Sequence, residues 1–173
     1  MYVGKPAPPF RMKTTKDANT LEHVASLEDY RGRWLVLLFY PADFTFVCPS
    51  EMIAFNRALP RLAEHDAELL GISTDSVFSH IAWMEFHVGQ LDFPLASDRT
   101  QVVSRAYGVL DDEGQSGRAI FIVDPEGIVR YEVVHEDKVG RSVEEVLRVL
   151  GALQSRSRTF ASFEDQAREI LSA

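Results

Sequence analysis

Seven consecutive apolar residues, Trp34-Leu35-Val36-Leu37-Leu38-Phe39-Tyr40, constrain this chain more than any other stretch. The run has no helix caps and is far too short to span a bilayer. It offers no polar face to water, so both of its faces must be covered. That fits a strand in the middle of a partly parallel sheet. Pro41 follows, and from about Thr45 to His65 the spacing turns helical, with Ile53, Ala54, Leu59 and Leu62 available for one face. Pro60 inside this pattern predicts a kink or an early end near Leu59.

The remaining segments repeat the alternation. Phe10 to Thr15 reads as a short strand followed by a polar turn, and Ser26 to Tyr30 as one loose helical turn broken by Arg31-Gly32-Arg33. Glu68 to Ser73 is a second strand. Ser76 to His87 is a helix, with Val77, Ile81, Met84 and Val88 on one face. Phe93 to Ala96 is a short extended piece, and Thr100 to Tyr107 a short helix closed by Gly108. Ala119 to Val123 and Ile128 to His135 form a hairpin about Asp124-Pro125-Glu126-Gly127, a turn by its chemistry. Ser142-Val143-Glu144-Glu145 is a capping box opening a helix to about Gln154. Phe160 to Ala173 adds a weak helix or tail. The order predicts an α/β layer fold, a central mixed sheet with helices on its faces. No linker or repeat divides it, so residues 1–173 read as one domain, with 155–173 as a C-terminal tail.

Net charge is −8, which argues against nucleic acid and anionic membranes as main partners. Cys48 is the only cysteine, which excludes an internal disulfide and a disulfide-stapled secreted scaffold. Met1 to Pro9 lacks the apolar core of a signal peptide, so the cytoplasm is the expected address. The five histidines show no zinc-site spacing with the cysteine. They read as surface or packed residues, and no metal or cofactor is expected.

Cys48 stands where the buried strand hands over to the helix, at the edge of the sheet where such folds hold their sites. A free thiol has a pKa of about 8.5 and is mostly protonated at neutral pH. The first turn of a helix favours the anion, through its unpaired N–H groups and dipole. With Thr45 as N-cap, Cys48 falls at the third helical position; Pro49 and Ser50 also allow a later cap. The plainer alternative is a small buried hydrophobe.

The surrounding residues carry a resemblance. Pro41-x-x-x-Thr45-x-x-Cys48, within FYPADFTFVCPSE, resembles the active-site signature of the peroxiredoxins, in particular the alkyl hydroperoxide reductase C and typical 2-Cys branch. The likeness continues through Ser79 to Trp83, Pro94 to Asp98, Gly117 to Asp124 and Val139 to Ser142. It implies a thioredoxin-like three-layer fold and thiol-dependent reduction of hydrogen peroxide and organic hydroperoxides. Cys48 matches the peroxidatic cysteine, whose thiolate attacks a peroxide oxygen and becomes a sulfenic acid. Thr45 would accept from and donate to the reacting atoms at once; it can equally be a helix cap. Pro41 would wall the thiolate from water, or simply end the strand. Arg118 is assigned by resemblance alone, as the cation for the sulfur anion and the leaving oxygen. Glu51 orients an arginine or carries a helix-surface charge. Trp83, also matched, reads as core.

The pattern also departs from that branch. Its second, resolving cysteine has no counterpart in Ser155 to Asp165. The reductant must then bring its own thiol: a thioredoxin, a glutaredoxin or a low-molecular-weight thiol. The one-cysteine branch commonly has histidine where Phe44 stands, so the match to branch is mixed. The loop between Trp83 and Pro94 lacks the family's glycine-rich insertion. The resemblance also implies a homodimer, with a decamer of five dimers as the larger option. Two other functions compete: a peroxide sensor or thiol relay, and a ring-forming holdase independent of Cys48.

Overall fold

The computed structural model describes residues 1–17 and 20–155. The tail expected from 155 to 173 therefore lies, beyond Ser155, outside the described residues. Seven strands form one sheet: β1 (Arg11–Thr14), β2 (Val24–Ser26), β3 (Trp34–Phe39), β4 (Ala67–Ser73), β5 (Leu95–Ser97), β6 (Arg118–Val123) and β7 (Val129–His135). Their order is β2-β1-β5-β4-β3-β6-β7. β3 runs parallel to β4 and antiparallel to β6, so the sheet is mixed. The helices are α1 (Cys48–Arg57), α2 (Leu59–Glu64), α3 (Val77–Trp83), α4 (Val102–Ala106) and α5 (Val143–Gln154).

The apolar run becomes the strand its composition demands. Val36, Leu38 and Tyr40 enter a core with Met52 and Phe55 of α1, Leu62 of α2, Trp83 of α3 and Leu150 of α5. Leu35, Leu37 and Phe39 alternate into a second core, with Phe10, Tyr30, Tyr107 and Val103 of α4. Helices thus cover both faces. Each Leu or Val sealed this way contributes about 1.5–3 kcal/mol, and β3 supplies the centre of both layers.

Three local details differ from the sequence reading, while the break expected near Leu59 is present. α1 begins at Cys48, with Val47 at the N-cap and no side-chain cap, so Thr45 is not the cap and Cys48 is the first helical residue. Phe44, at φ +58°, already departs from helical geometry, and Pro49 at the second position is pre-set for a helix start there. The break expected from Pro60 falls at Ala58, which closes α1 and opens α2. The helix expected to His87 is α-helical only to Trp83. It widens into a π-turn over Met84–Val88 and stops at Gly89, φ +85°. The edge strand β2 is new; three residues are too few for alternation to register. The capping box of α5 supplies the expected N-cap bond, Glu145 N–H donating to Ser142 Oγ at 3.3 Å.

Candidate active site

The antiparallel register explains how a residue far along the chain reaches Cys48. Phe39 pairs with Ala119, so the start of β6 lies beside the end of β3, from which the chain enters α1. Arg118, the first residue of β6, puts Nη1 3.5 Å from Cys48 Sγ. Its Nε donates to the Asp137 carbonyl at 3.0 Å, and its Nη1 also donates to Glu51 Oε2.

Glu51 lies three residues past Cys48 on α1, hence on the same helix face. It is 4% exposed and carries no surface charge. Its carboxylate also binds Arg141, whose backbone N–H donates to Oε1 at 2.6 Å, Nε to Oε1 at 2.9 Å and Nη2 to Oε2 at 3.1 Å. Arg141 Nη1 donates to the Phe39 and Ala119 carbonyls, tying together the ends of β3 and β6. Burial raises Glu51, but the two arginines outweigh it and hold its carboxyl below the usual range. Burial lowers Arg118, yet the Cys48 sulfur and Glu51 together hold it above its ordinary value. Arg141 is lowered by burial, which its bonds to Glu51 only partly offset.

The charge count of this cluster decides its chemistry. Arg118 and Arg141 are 3% and 7% exposed, and Glu51 cancels only one of them. Burying a net positive charge is costly unless something neutralises it. An anion beside Arg118 would complete the balance, and Cys48 Sγ is within its reach.

The structure brings Cys48, Glu51 and Arg118 together. Pro41 is buried two residues past the end of β3, while Thr45 is half-buried in the loop before α1. The Thr45 hydroxyl donates to the Ala42 carbonyl at 3.0 Å. Its one proton is thus committed, and its lone pairs are left to accept; donating at the same time would require that bond to break. Cys48 itself is fully buried, while Phe46, two residues before it, is fully exposed. Trp83 is a core residue stacked on Tyr40, ring centroids 5.7 Å apart, with its indole N–H unpartnered. Arg141 was missed by sequence reasoning. Only its place in the Val139 to Ser142 match pointed to it, since no spacing rule links it to Cys48. A Cβ at the neighbouring Gly140 would stand 3.8 Å from Val47 and 3.9 Å from Glu51, so this segment sits directly against the cluster.

Known proteins share this chain's sequence and fold. The model of the AhpC/TSA family matches residues 3–132. A Clostridium pasteurianum protein provisionally named as a peroxiredoxin of the rubredoxin operon is 50% identical over 159 residues, covering 88% of this chain and 89% of that protein. A thioredoxin peroxidase of Fasciola hepatica is 46% identical over 160 residues, 88% of this chain and 80% of its own. Among solved structures, the reduced 2-Cys peroxiredoxin of Plasmodium vivax superposes with a TM-score of 0.85 at 40% identity, over 89% of this chain and 82% of that one. The chain belongs to the AhpC/TSA family, and its fold is the thioredoxin-like fold of the peroxiredoxins. It is a thiol-dependent peroxide reductase.

Proposed function

We propose that this peroxiredoxin turns over hydroperoxides with Cys48 alone and an external thiol. The Cys48 thiolate attacks the terminal peroxide oxygen. An S–O bond forms, the O–O bond breaks, and sulfur loses two electrons. The leaving oxygen departs as water or an alcohol once it takes a proton. Arg118 faces both charges, the one leaving sulfur and the one growing on the departing oxygen. Thr45 accepts from the peroxide hydroxyl, which holds the reacting oxygen in line. Pro41 adds a buried wall without an N–H to compete for the anion. Glu51 fixes the guanidinium of Arg118, and Arg141 fixes Glu51. The observation that carries this reading is the 3.5 Å approach of Arg118 to Cys48 Sγ inside a cluster with one uncompensated positive charge.

The 173 residues hold no second sulfur nucleophile of the cysteine type. The sulfenic acid therefore condenses with an outside thiol, releasing water and leaving a mixed disulfide. A second thiol then attacks that disulfide and returns Cys48. Peroxide is small, but a protein thiol needs the sulfur uncovered. Cys48 is fully buried in the first turn of α1, so that turn must open for a protein thiol to reach it. The reductant is a thioredoxin-type protein or a small thiol, in a thiol-reducing compartment such as the cytoplasm. Among the described residues no helix is long and apolar enough to cross a membrane. A homodimer fits the exposed edge of β7, the last strand in the sheet order, where a second copy can pair. Exposed Phe44, Phe78 and Phe86 supply apolar surface for assembly of dimers into a larger ring.

The test is peroxide consumption with dithiothreitol as reductant, wild type against Cys48→Ser. Wild type is expected to consume hydrogen peroxide and the variant to match the buffer. Equal rates would eliminate the peroxidase mechanism.

A further inference from the structure

A second buried polar cluster lies on the other side of the same loop and shares no residue with the arginine cluster. Asp43 is buried, although it sits mid-loop between Pro41 and Thr45. Its carboxylate accepts from the Tyr40 hydroxyl at 2.9 Å, and His80 Nδ1 lies 2.8 and 3.1 Å from its two oxygens. His80, fully buried on α3, places Nε2 3.4 Å from the Ala96 carbonyl of β5. The Asp43 N–H donates to the Asp75 carboxylate at 2.7 Å, and Asp75 is in turn bonded to Ser73 at the end of β4. Burial and the Asp43 carboxylate push the Tyr40 hydroxyl well above its usual pKa, so it stays a donor.

Three elements thus converge on one loop residue: the end of β3, helix α3 and the connection after β4. Burying a carboxylate and an imidazole is unfavourable compared with an apolar core unless each is fully paired, which here they are. The residue that follows shows what the anchoring enforces. Phe44 has φ +58°, a backbone region that residues other than glycine rarely adopt and that persists only where the surroundings impose it. Thr45 comes next, its hydroxyl already turned to the Ala42 carbonyl. The loop is therefore fixed from inside at Asp43 and closed on itself at Thr45, three residues before Cys48.

We infer that Tyr40, Asp43 and His80 are positioning residues for peroxide: they hold the Phe44 turn so that Thr45 receives the substrate. This rests on the peroxidase reading above. The work is divided between two clusters. Arg118, Glu51 and Arg141 settle the charge on sulfur, while the Asp43 cluster settles where the peroxide lies against it. Loosening the second should leave the thiolate in place and uncover it, yet slow its reaction with peroxide.

The experiment compares second-order rate constants of Cys48 with hydrogen peroxide and with iodoacetamide, which needs the thiolate but not Thr45. Asp43→Ala and His80→Leu are expected to lower the peroxide constant about tenfold or more. Alkylation should stay equal or become faster, and the thiolate absorbance should titrate as in wild type. His80→Asn, whose amide can donate where Nδ1 does, should recover most of the loss. A wild-type ratio of the two constants in folded variants, or a parallel fall in both, overturns the inference. If both variants unfold, Tyr40→Phe decides, because it keeps the ring on Trp83 and removes one donor. A ratio about threefold lower supports the inference, and an unchanged ratio overturns it. Wild type reacting with peroxide no faster than Cys48→Ser would instead sink the peroxidase reading, and that comparison is made first.

Discussion

Replacing Arg118 with alanine removes a cation in direct contact with the sulfur. Two unit charges 3.5 Å apart attract by about 5 kcal/mol at an effective dielectric constant of about 20. Not all of that is lost. Arg141 remains in the cluster, and water entering the space left by the guanidinium solvates the anion. About half, roughly 2.5 kcal/mol, is a reasonable net loss, which approaches about a hundredfold in rate. Removal of a single preorganised donor from an oxyanion site has effects of that size. The assay is stopped-flow oxidation of Cys48 by hydrogen peroxide at several pH values. Arg118→Ala should be about a hundredfold slower near neutrality. Raising the pH should recover only part of the loss, because it restores the thiolate but not the stabilisation of the leaving oxygen. Arg118→Lys keeps the charge but loses the fork that serves Cys48, Glu51 and Asp137 together, so it should fall in between. Oxidation of Arg118→Ala at the wild-type rate would refute the electrostatic argument. Full recovery at high pH would confine Arg118 to ionising the thiol and remove its part in the bond-breaking step.

Glu51→Gln leaves two buried guanidinium groups without their shared anion, and denaturant melts should show a loss of about 3–5 kcal/mol. Acid should act in the same direction on the wild type. The Glu51 carboxyl is held below its usual range in the folded state, so its contribution is complete above the unfolded carboxylate pKa and disappears as pH falls through the folded value. Melts from about pH 6 to about pH 3 should therefore fall more steeply for wild type than for Glu51→Gln; parallel curves would count against the ion cluster. Leu38→Ala, at a fully buried position of the central strand, should cost about 2–5 kcal/mol by urea unfolding, and a loss below 1 would mean that the core collapses around it.

What the sequence revealed and what it hid follow from the range of the interactions involved. The β3 run was legible because burial on both faces leaves a mark on seven adjacent residues. The hairpin of β6 and β7 was legible because turn chemistry at Asp124 to Gly127 is local, with Gly127 N–H returning to the Asp124 carbonyl at 2.9 Å. The start of α1 lies two residues later than a Thr45 cap would put it, because Thr45 has the chemistry of a cap but its hydroxyl bonds backward to Ala42. Hydroxyl type alone cannot tell those two uses apart.

The site shows the same limit more sharply. Cys48 and Glu51 are one helical turn apart, so a sequence reading can place them on one face. Arg118 arrives only through the antiparallel register of β3 and β6, and Arg141 only through the segment leading into α5; neither is encoded near the cysteine. Resemblance supplied the first and passed over the second, although Arg141 makes more bonds to Glu51 than Arg118 does. His80 went unrecognised for a related reason. Its partners, Asp43 and Tyr40, lie 37 and 40 residues away, and each looks unremarkable alone. A reactive cysteine of this kind is thus a local motif set between two long-range polar clusters. Its position can be read from a dozen residues, but the charge and the substrate geometry that make it useful are properties of the folded sheet.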